Sequence, residues 1–327
     1  MGEAMGGPRT AFVALAVMAM AALAACADDG ASADTPAEGE AVTTVETSAP
    51  ATTVTTTAAA SAVPYYVSLG DSYASGYEAG VGNTDNGFAY QVVDEAAAAS
   101  HPLVLVNFGC GGATTTSLLE AEGCSPRGLG PGAEPYDGQT QLEAAETFIR
   151  DHPGEVGLIT VSIGGNDVTA CSIADDPVAC VTAAVEGIST NVAQILQRLR
   201  AAAGPEVLIV GTTYPDVLLG QWLDGTPEAQ QLASLSVTAF KDLINPALAK
   251  AYADAGGTFV DVTAATGAYG PMTELTPLAP YGEIPVPVAK VCELTYYCAE
   301  RDIHPNADGY QVIADLVVDV YLSSATG

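Results

Sequence analysis

The stretch Tyr65-Tyr66-Val67-Ser68-Leu69-Gly70-Asp71-Ser72-Tyr73 is a short apolar run that passes without a spacer into a glycine turn bearing a serine. Residues 65–69 read as a strand, and further apolar runs of strand length follow at 103–107, 156–163, 207–212 and 258–262. Between them lie helical patterns at 88–99, 139–151, 178–203 and 227–254, with a last amphipathic one at 307–322. His101-Pro102, His152-Pro153 and Gly204-Pro205 punctuate three of the ends. Strands alternating with helices predict an α/β fold with a parallel sheet covered on both faces. Ligands in such a sheet bind beyond the carboxyl ends of the strands.

That rule brings separate segments to one edge. Ser72 follows the first strand, Gly112 of Asn107-Phe108-Gly109-Cys110-Gly111-Gly112 follows the second, and Asn166 of Gly164-Gly165-Asn166-Asp167 follows the third. A fourth segment, Asp302-Ile303-His304-Pro305, supplies a histidine. Gly-Asp-Ser and Gly-Asn-Asp alone are common turn tripeptides. In this order the segments carry a nucleophile, oxyanion donors and a base, the parts of a hydrolase.

The four segments resemble the consensus blocks of the SGNH, or GDSL, family of serine esterases and lipases, over essentially the whole folded part. The resemblance implies a flavodoxin-like three-layer α/β/α sandwich with a five-stranded parallel sheet. It also puts the family's serine, glycine, asparagine and histidine on Ser72, Gly112, Asn166 and His304. The run Gly109-Cys110-Gly111-Gly112-Ala113-Thr114 and the spacing of Cys292 and Cys298 resemble actinobacterial exported members in particular.

The chemistry of the residues agrees with this on its own terms. Ser72 needs a base near neutral pH, and imidazole is the side chain whose ordinary pKa suits that task. Of the three histidines, His101 and His152 each precede a strand, at the amino edge of the sheet, which leaves His304. The tetrahedral intermediate needs donors, supplied by the Ser72 and Gly112 amides and the Asn166 side chain. Glycine at 112 permits close backbone approach to a substrate. Ser72 is not in a Gly-x-Ser-x-Gly elbow, which disfavours an ordinary α/β-hydrolase.

The acid departs from the family pattern. Members usually carry Asp-x-x-His, but here Arg301 stands three before His304 and Asp302 two before it. Either Asp302 reaches the far imidazole nitrogen from a shifted backbone, or a main-chain carbonyl near Arg301 orients the ring; Asp302 is the favoured reading. Asp71 and Asp167 are expected to accept backbone hydrogen bonds in their own turns. The proline-rich stretch 267–297 reads as a long loop, with Met272, Leu275, Leu278, Tyr281 and Ile284 as candidate walls of an acyl-chain pocket.

The flanks and the composition bound the setting. Of 327 residues, 49% are hydrophobic, enough for a well-buried core. An apolar run at 11–25 behind Arg9 has the size of a signal h-region, and Leu23-Ala24-Ala25-Cys26 resembles the lipobox of bacterial lipoproteins. Residues 1–25 are therefore expected to be a lipoprotein signal peptide and Cys26 a lipid anchor, with ordinary secretion as the alternative. Residues 26–63, rich in Ala, Thr, Ser, Pro and Glu, read as a disordered tether before a hydrolase domain at 64–327.

The net charge is −30, and no Lys or Arg stands between Arg9 and Arg127, so nucleic acid is excluded as a natural partner. Six cysteines remain after Cys26, and an even count in an exported chain predicts disulfides between sequence neighbours: Cys110–Cys124, Cys171–Cys180 and Cys292–Cys298. A zinc site is the rival, disfavoured by the lack of a Cys-x-x-Cys pair.

The reading is an extracytoplasmic, membrane-tethered monomer, a lipase or carboxylesterase that works through an acyl-enzyme on a small-molecule or lipid ester. No cofactor or metal is expected. Polysaccharide O-deacetylation or acyl transfer could use the same site, and a ligand-binding lipoprotein is the non-enzymatic alternative.

Overall fold

The computed structural model describes residues 63–325 other than 134, 170 and 172–175. The expected signal peptide, Cys26 and the tether up to residue 62 lie outside the described residues.

The central sheet has strands β1 (Tyr65–Gly70), β2 (Val104–Asn107), β3 (Val156–Ser162), β4 (Leu208–Thr212) and β5 (Thr258–Val260). Their order across the sheet is β2-β1-β3-β4-β5, and every pairing is parallel. This is the doubly wound order expected of a flavodoxin-like sheet. Five helices flank it: α1 (Phe88–Ala98), α2 (Gln141–Asp151), α3 (Pro177–Ala203), α4 (Asn245–Asp254) and α5 (Ala307–Ala325).

Strand alternation sorts the core into two layers. Val67 and Leu69 of β1 join Ile159 and Val161 of β3 against Leu142 and Ile149 of α2, Ile195, Leu196 and Leu199 of α3, and Leu248 of α4. Tyr66 and Leu158 face the other way, onto Phe88 and Val92 of α1 and Tyr310, Ile313 and Val317 of α5. Each such side chain taken fully out of water contributes about 1.5–3 kcal/mol. Both faces are thereby covered, which is why β1 can be apolar at every position but Ser68, whose hydroxyl accepts from Thr160 at 3.3 Å.

Local chemistry sets the helix ends. Thr140 and Glu143 form a reciprocal capping box at the start of α2, with bonds of 3.2 and 2.9 Å. Asp176 caps α3, and Pro177 occupies its first turn, where a missing N–H costs nothing. The stretch read as one helix at 227–254 is divided. A helix at Pro227–Ala239 widens into a π-helical turn at Phe240–Ile244 before α4 resumes. Pro246 accounts for the change, because it cannot donate to the ladder and its ring would strike the carbonyl four residues back.

The stretch 267–297 is not the long loop its prolines suggest. It holds a hairpin, Leu275–Leu278 paired with Gly282–Pro285, and then a helix at Val286–Leu294 with Pro285 as its cap and Pro287 in its first turn. The candidate pocket walls pack largely on one another. Ile284 is buried with Val288, and Met272, Leu278 and Tyr281 close around them together with Trp222, while Leu275 is exposed. Four of the five side chains form a small core of their own, because together they hide more apolar surface than any of them could alone.

Candidate active site

β1 delivers Ser72 to the carboxyl edge through a turn with little freedom. Gly70 has φ 146°, and a Cβ there would stand 2.1 Å from the Ser162 carbonyl oxygen, so only glycine fits. Buried Gln141 clasps this glycine, accepting from its N–H at 2.7 Å and donating to its carbonyl at 3.0 Å. Asp71 then caps the short helix Ser72–Ser75, accepting from the Tyr73 N–H at 3.0 Å. Ser72 is left 8% exposed, at the rim.

His304 meets it from the far end of the chain. Its Nε2 lies 2.8 Å from Ser72 Oγ, and its Nδ1 lies 2.6 Å from Asp302 Oδ1. The same carboxylate oxygen accepts the His304 backbone N–H at 2.9 Å. A shifted backbone makes this reach possible. Arg301 ends the helix Tyr297–Glu300 in the left-handed region, φ 57°, and turns out to pair with Asp224, so that Asp302 faces the ring. Of the two orienting groups left open by the sequence, the carboxylate is the one that faces Nδ1. Burial lowers the His304 pKa below its ordinary 6.5, against the opposing pull of Asp302, so the imidazole is neutral and able to accept a proton at neutral pH.

The other two candidate oxyanion donors lie beyond two more strand ends. Beyond β2, Cys110 N–H donates to the Gly70 carbonyl at 3.0 Å and Gly111 N–H to the Gly128 carbonyl at 2.8 Å, and Gly112 follows at φ 83° with open space where a Cβ would be. Beyond β3, Asn166 donates one Nδ2 hydrogen to the Ala113 carbonyl at 2.9 Å, which sets its amide beside Gly112. The other hydrogen of that amide remains for an oxyanion.

Asp71 does more than cap its own turn, and Asp167 departs from the expected role, its bonds reaching a different loop. Asp71 also accepts from the Tyr214 hydroxyl at 2.7 Å, and Asp167 reaches Thr115 at both its N–H (2.9 Å) and its hydroxyl (2.5 Å). Burial raises the Asp71 pKa to about 7, with the Tyr214 and Tyr73 bonds opposing the rise. His101 and His152 take no part. His152 stacks on Phe148 and contacts Tyr65 at the amino end of β1, and His101 sits beside Tyr321.

The three disulfides join the pairs expected from sequence neighbours, Cys110–Cys124, Cys171–Cys180 and Cys292–Cys298. No group of metal-binding side chains occurs among the described residues. Cys110–Cys124 lies beside Gly112, and Cys292–Cys298 ties the helix at Val286–Leu294 to the turn that leads into Asp302.

Several residues of the site escaped the sequence reading. The Tyr73 hydroxyl donates to the Ile303 carbonyl at 2.7 Å, and the Tyr77 ring lies 4.4 Å from the His304 ring. Tyr296 N–H takes the His304 carbonyl at 3.0 Å while its hydroxyl donates to Glu78 at 3.0 Å. Tyr214 could have been found by extending the edge rule one strand further, since it follows β4 as Ser72 follows β1.

The family model described as "GDSL-like Lipase/Acylhydrolase family" matches residues 68–312. No curated protein matches the chain. Among solved structures it is similar to phospholipase A1 from Streptomyces albidoflavus NA297, with 22% identity and a TM-score of 0.44 over 80% of this chain and 99% of that one. An extracellular lipase from Streptomyces rimosus shows 19% identity and a TM-score of 0.45 over the same shares, 80% and 99%. The aryl esterase of M. smegmatis shows 9% identity and a TM-score of 0.43, again over 80% and 99%.

Proposed function

The chain belongs to the GDSL-like lipase/acylhydrolase family and is a carboxylic ester hydrolase, and from that premise we propose that it cleaves esters through an acyl-enzyme on Ser72. The observation that carries the reading is the unbroken chain Ser72 Oγ, His304 Nε2, His304 Nδ1, Asp302 Oδ1, at 2.8 and 2.6 Å. As Ser72 Oγ attacks the ester carbonyl, neutral His304 takes its proton at Nε2. Asp302 holds Nδ1–H and stabilises the imidazolium that forms. The oxyanion is met by the Ser72 and Gly112 N–H groups and the free Asn166 amide hydrogen.

Collapse expels the alcohol, which receives its proton from His304. A water then attacks the acyl-enzyme with His304 again as base, and Ser72 is released with the carboxylic acid. The substrate is a small-molecule or lipid ester. The disulfides suit an oxidising compartment and support an extracytoplasmic site of action, and export with lipidation at Cys26 is the route the N-terminal sequence favours.

The test uses the oxidised domain from Pro64 onward and p-nitrophenyl esters from acetate to palmitate. Ser72→Ala should abolish hydrolysis across the series. A chain-length optimum at acetate would redirect the substrate towards acetylated polysaccharide, and activity surviving Ser72→Ala would end the serine mechanism.

A further inference from the structure

Two of the oxyanion donors belong to different loops, joined where those loops leave the sheet by the Asp71 N–H bond to the Ser162 carbonyl at 3.1 Å. The Ser72 N–H stands in the turn capped by Asp71, and the Asn166 amide stands in the turn after β3. One side chain touches both. The Tyr214 hydroxyl donates to Asp71 Oδ2 at 2.7 Å and accepts from the Gly165 N–H at 3.2 Å. Asp71 Oδ1 continues the line to the Tyr73 N–H at 3.0 Å. The phenol thus closes a run of hydrogen bonds from the first turn of the serine helix to the residue before Asn166.

The ring is as well fixed as its oxygen. The Tyr73 ring meets it edge to face at 4.8 Å, and the Thr263 hydroxyl holds the Tyr214 carbonyl at 2.8 Å. Gly165 packs against it as well, a Cβ there coming within 3.1–3.4 Å of ring carbons. Burial and the Asp71 carboxyl push the phenol pKa well above its ordinary value, so the hydroxyl keeps the hydrogen it donates to Asp71. Asn166 is then held twice: its backbone through the neighbouring Gly165, and its side chain through the Ala113 carbonyl.

We propose that Tyr214 is the positioning residue of the oxyanion hole, setting the Ser72 amide and the Asn166 amide to converge on one point. The inference rests on those groups being the donors, as argued above. A positioning residue acts on the transition state, where the charge develops, and leaves ground-state binding unchanged.

Tyr214→Phe removes the oxygen and keeps the ring. Measured per active site, with the folded fraction counted by a fluorophosphonate, it should lower kcat about tenfold while KM stays within about twofold. Affinity for an alkylboronic acid, whose tetrahedral adduct carries the charge the donors bind, should fall by a similar factor. In an Asn166→Ala background the same change should cost less than about threefold, because the donor it aligns is gone. Gly165→Ala, whose Cβ presses on the ring, should reproduce the kcat loss if Tyr214→Phe does not fold.

A Tyr214→Phe enzyme with unchanged kcat overturns the proposal, and so does a tenfold loss that persists in full in the Asn166→Ala background. Should Asn166→Ala itself leave kcat unchanged, the donor assignment fails, and this inference with it.

Discussion

Ser72, Gly112 and Asn166 each stand a few residues beyond a strand end, whereas His304 and Asp302 stand far down the chain from β5, which ends at Val260. The serine half is placed by the sheet. Parallel pairing of β1 with β2 and β3 brings the three turns together, and backbone bonds such as Asp71 N–H to the Ser162 carbonyl at 3.1 Å hold them. The histidine half is placed largely by side chains that reach it, Tyr73 on the Ile303 carbonyl, the Cys292–Cys298 bridge and the Arg301–Asp224 pair, with one backbone bond from the Tyr296 N–H to the His304 carbonyl. Changes to the backbone turns that carry the first half should therefore cost folding, and changes to the straps that hold the second should cost rate.

Asp302→Asn offers the largest effect. Loss of the carboxylate that fixes the tautomer should lower kcat by roughly 10⁴-fold with the melting temperature nearly unchanged, as steady-state kinetics beside thermal unfolding would show. A loss under about tenfold would shift the orienting role to another group. On the serine side, Gly70→Ala should destabilise by about 4 kcal/mol or more, since its Cβ meets a backbone oxygen that cannot move without β3. Urea unfolding measures it, and a folded, active Gly70→Ala enzyme would break the contrast between the halves.

Tyr73→Phe cuts one strap of the histidine loop. It should lower kcat severalfold to about tenfold and cost about 1 kcal/mol of stability. Cys292→Ser with Cys298→Ser should have the smallest effect, a kcat loss of about twofold to threefold, because the loop it closes is short and other contacts remain.

The pH profile sharpens the same comparison. His304 must be neutral to act as base, and its folded pKa lies below 6.5, so kcat/KM should be flat at neutral pH and fall on acidification with a midpoint below 6.5. The same shift makes the unfolded chain bind the proton first, so its contribution to stability is present above 6.5 and is lost as pH falls through that value towards the folded pKa. A midpoint above 6.5 would mean that Asp302 outweighs burial.

The contrast also explains what could be read from the sequence. The strands, their shared edge and the residues standing on it follow from local patterns, because the sheet imposes position on whatever comes after a strand. The disulfide pairs are local for the same reason. Tyr73, Tyr77 and Tyr296 were not legible as site residues, since each acts on a group more than a turn away in a direction that only the packed fold defines. Residues 267–297 misled in a different way. Pro285 and Pro287 look like loop residues in sequence, yet their places at a helix start are ones that proline favours. The role of Arg301 depended on a left-handed backbone that an arginine does not announce.

The most direct test of the central claim is covalent labelling of the oxidised domain with a fluorophosphonate, followed by peptide mass spectrometry and residual hydrolysis of a p-nitrophenyl ester. A single adduct on Ser72, with hydrolysis falling in step with its formation and labelling suppressed in His304→Ala, is the predicted result. Full hydrolysis after complete labelling of Ser72, or an inactivating adduct on another residue, would contradict it.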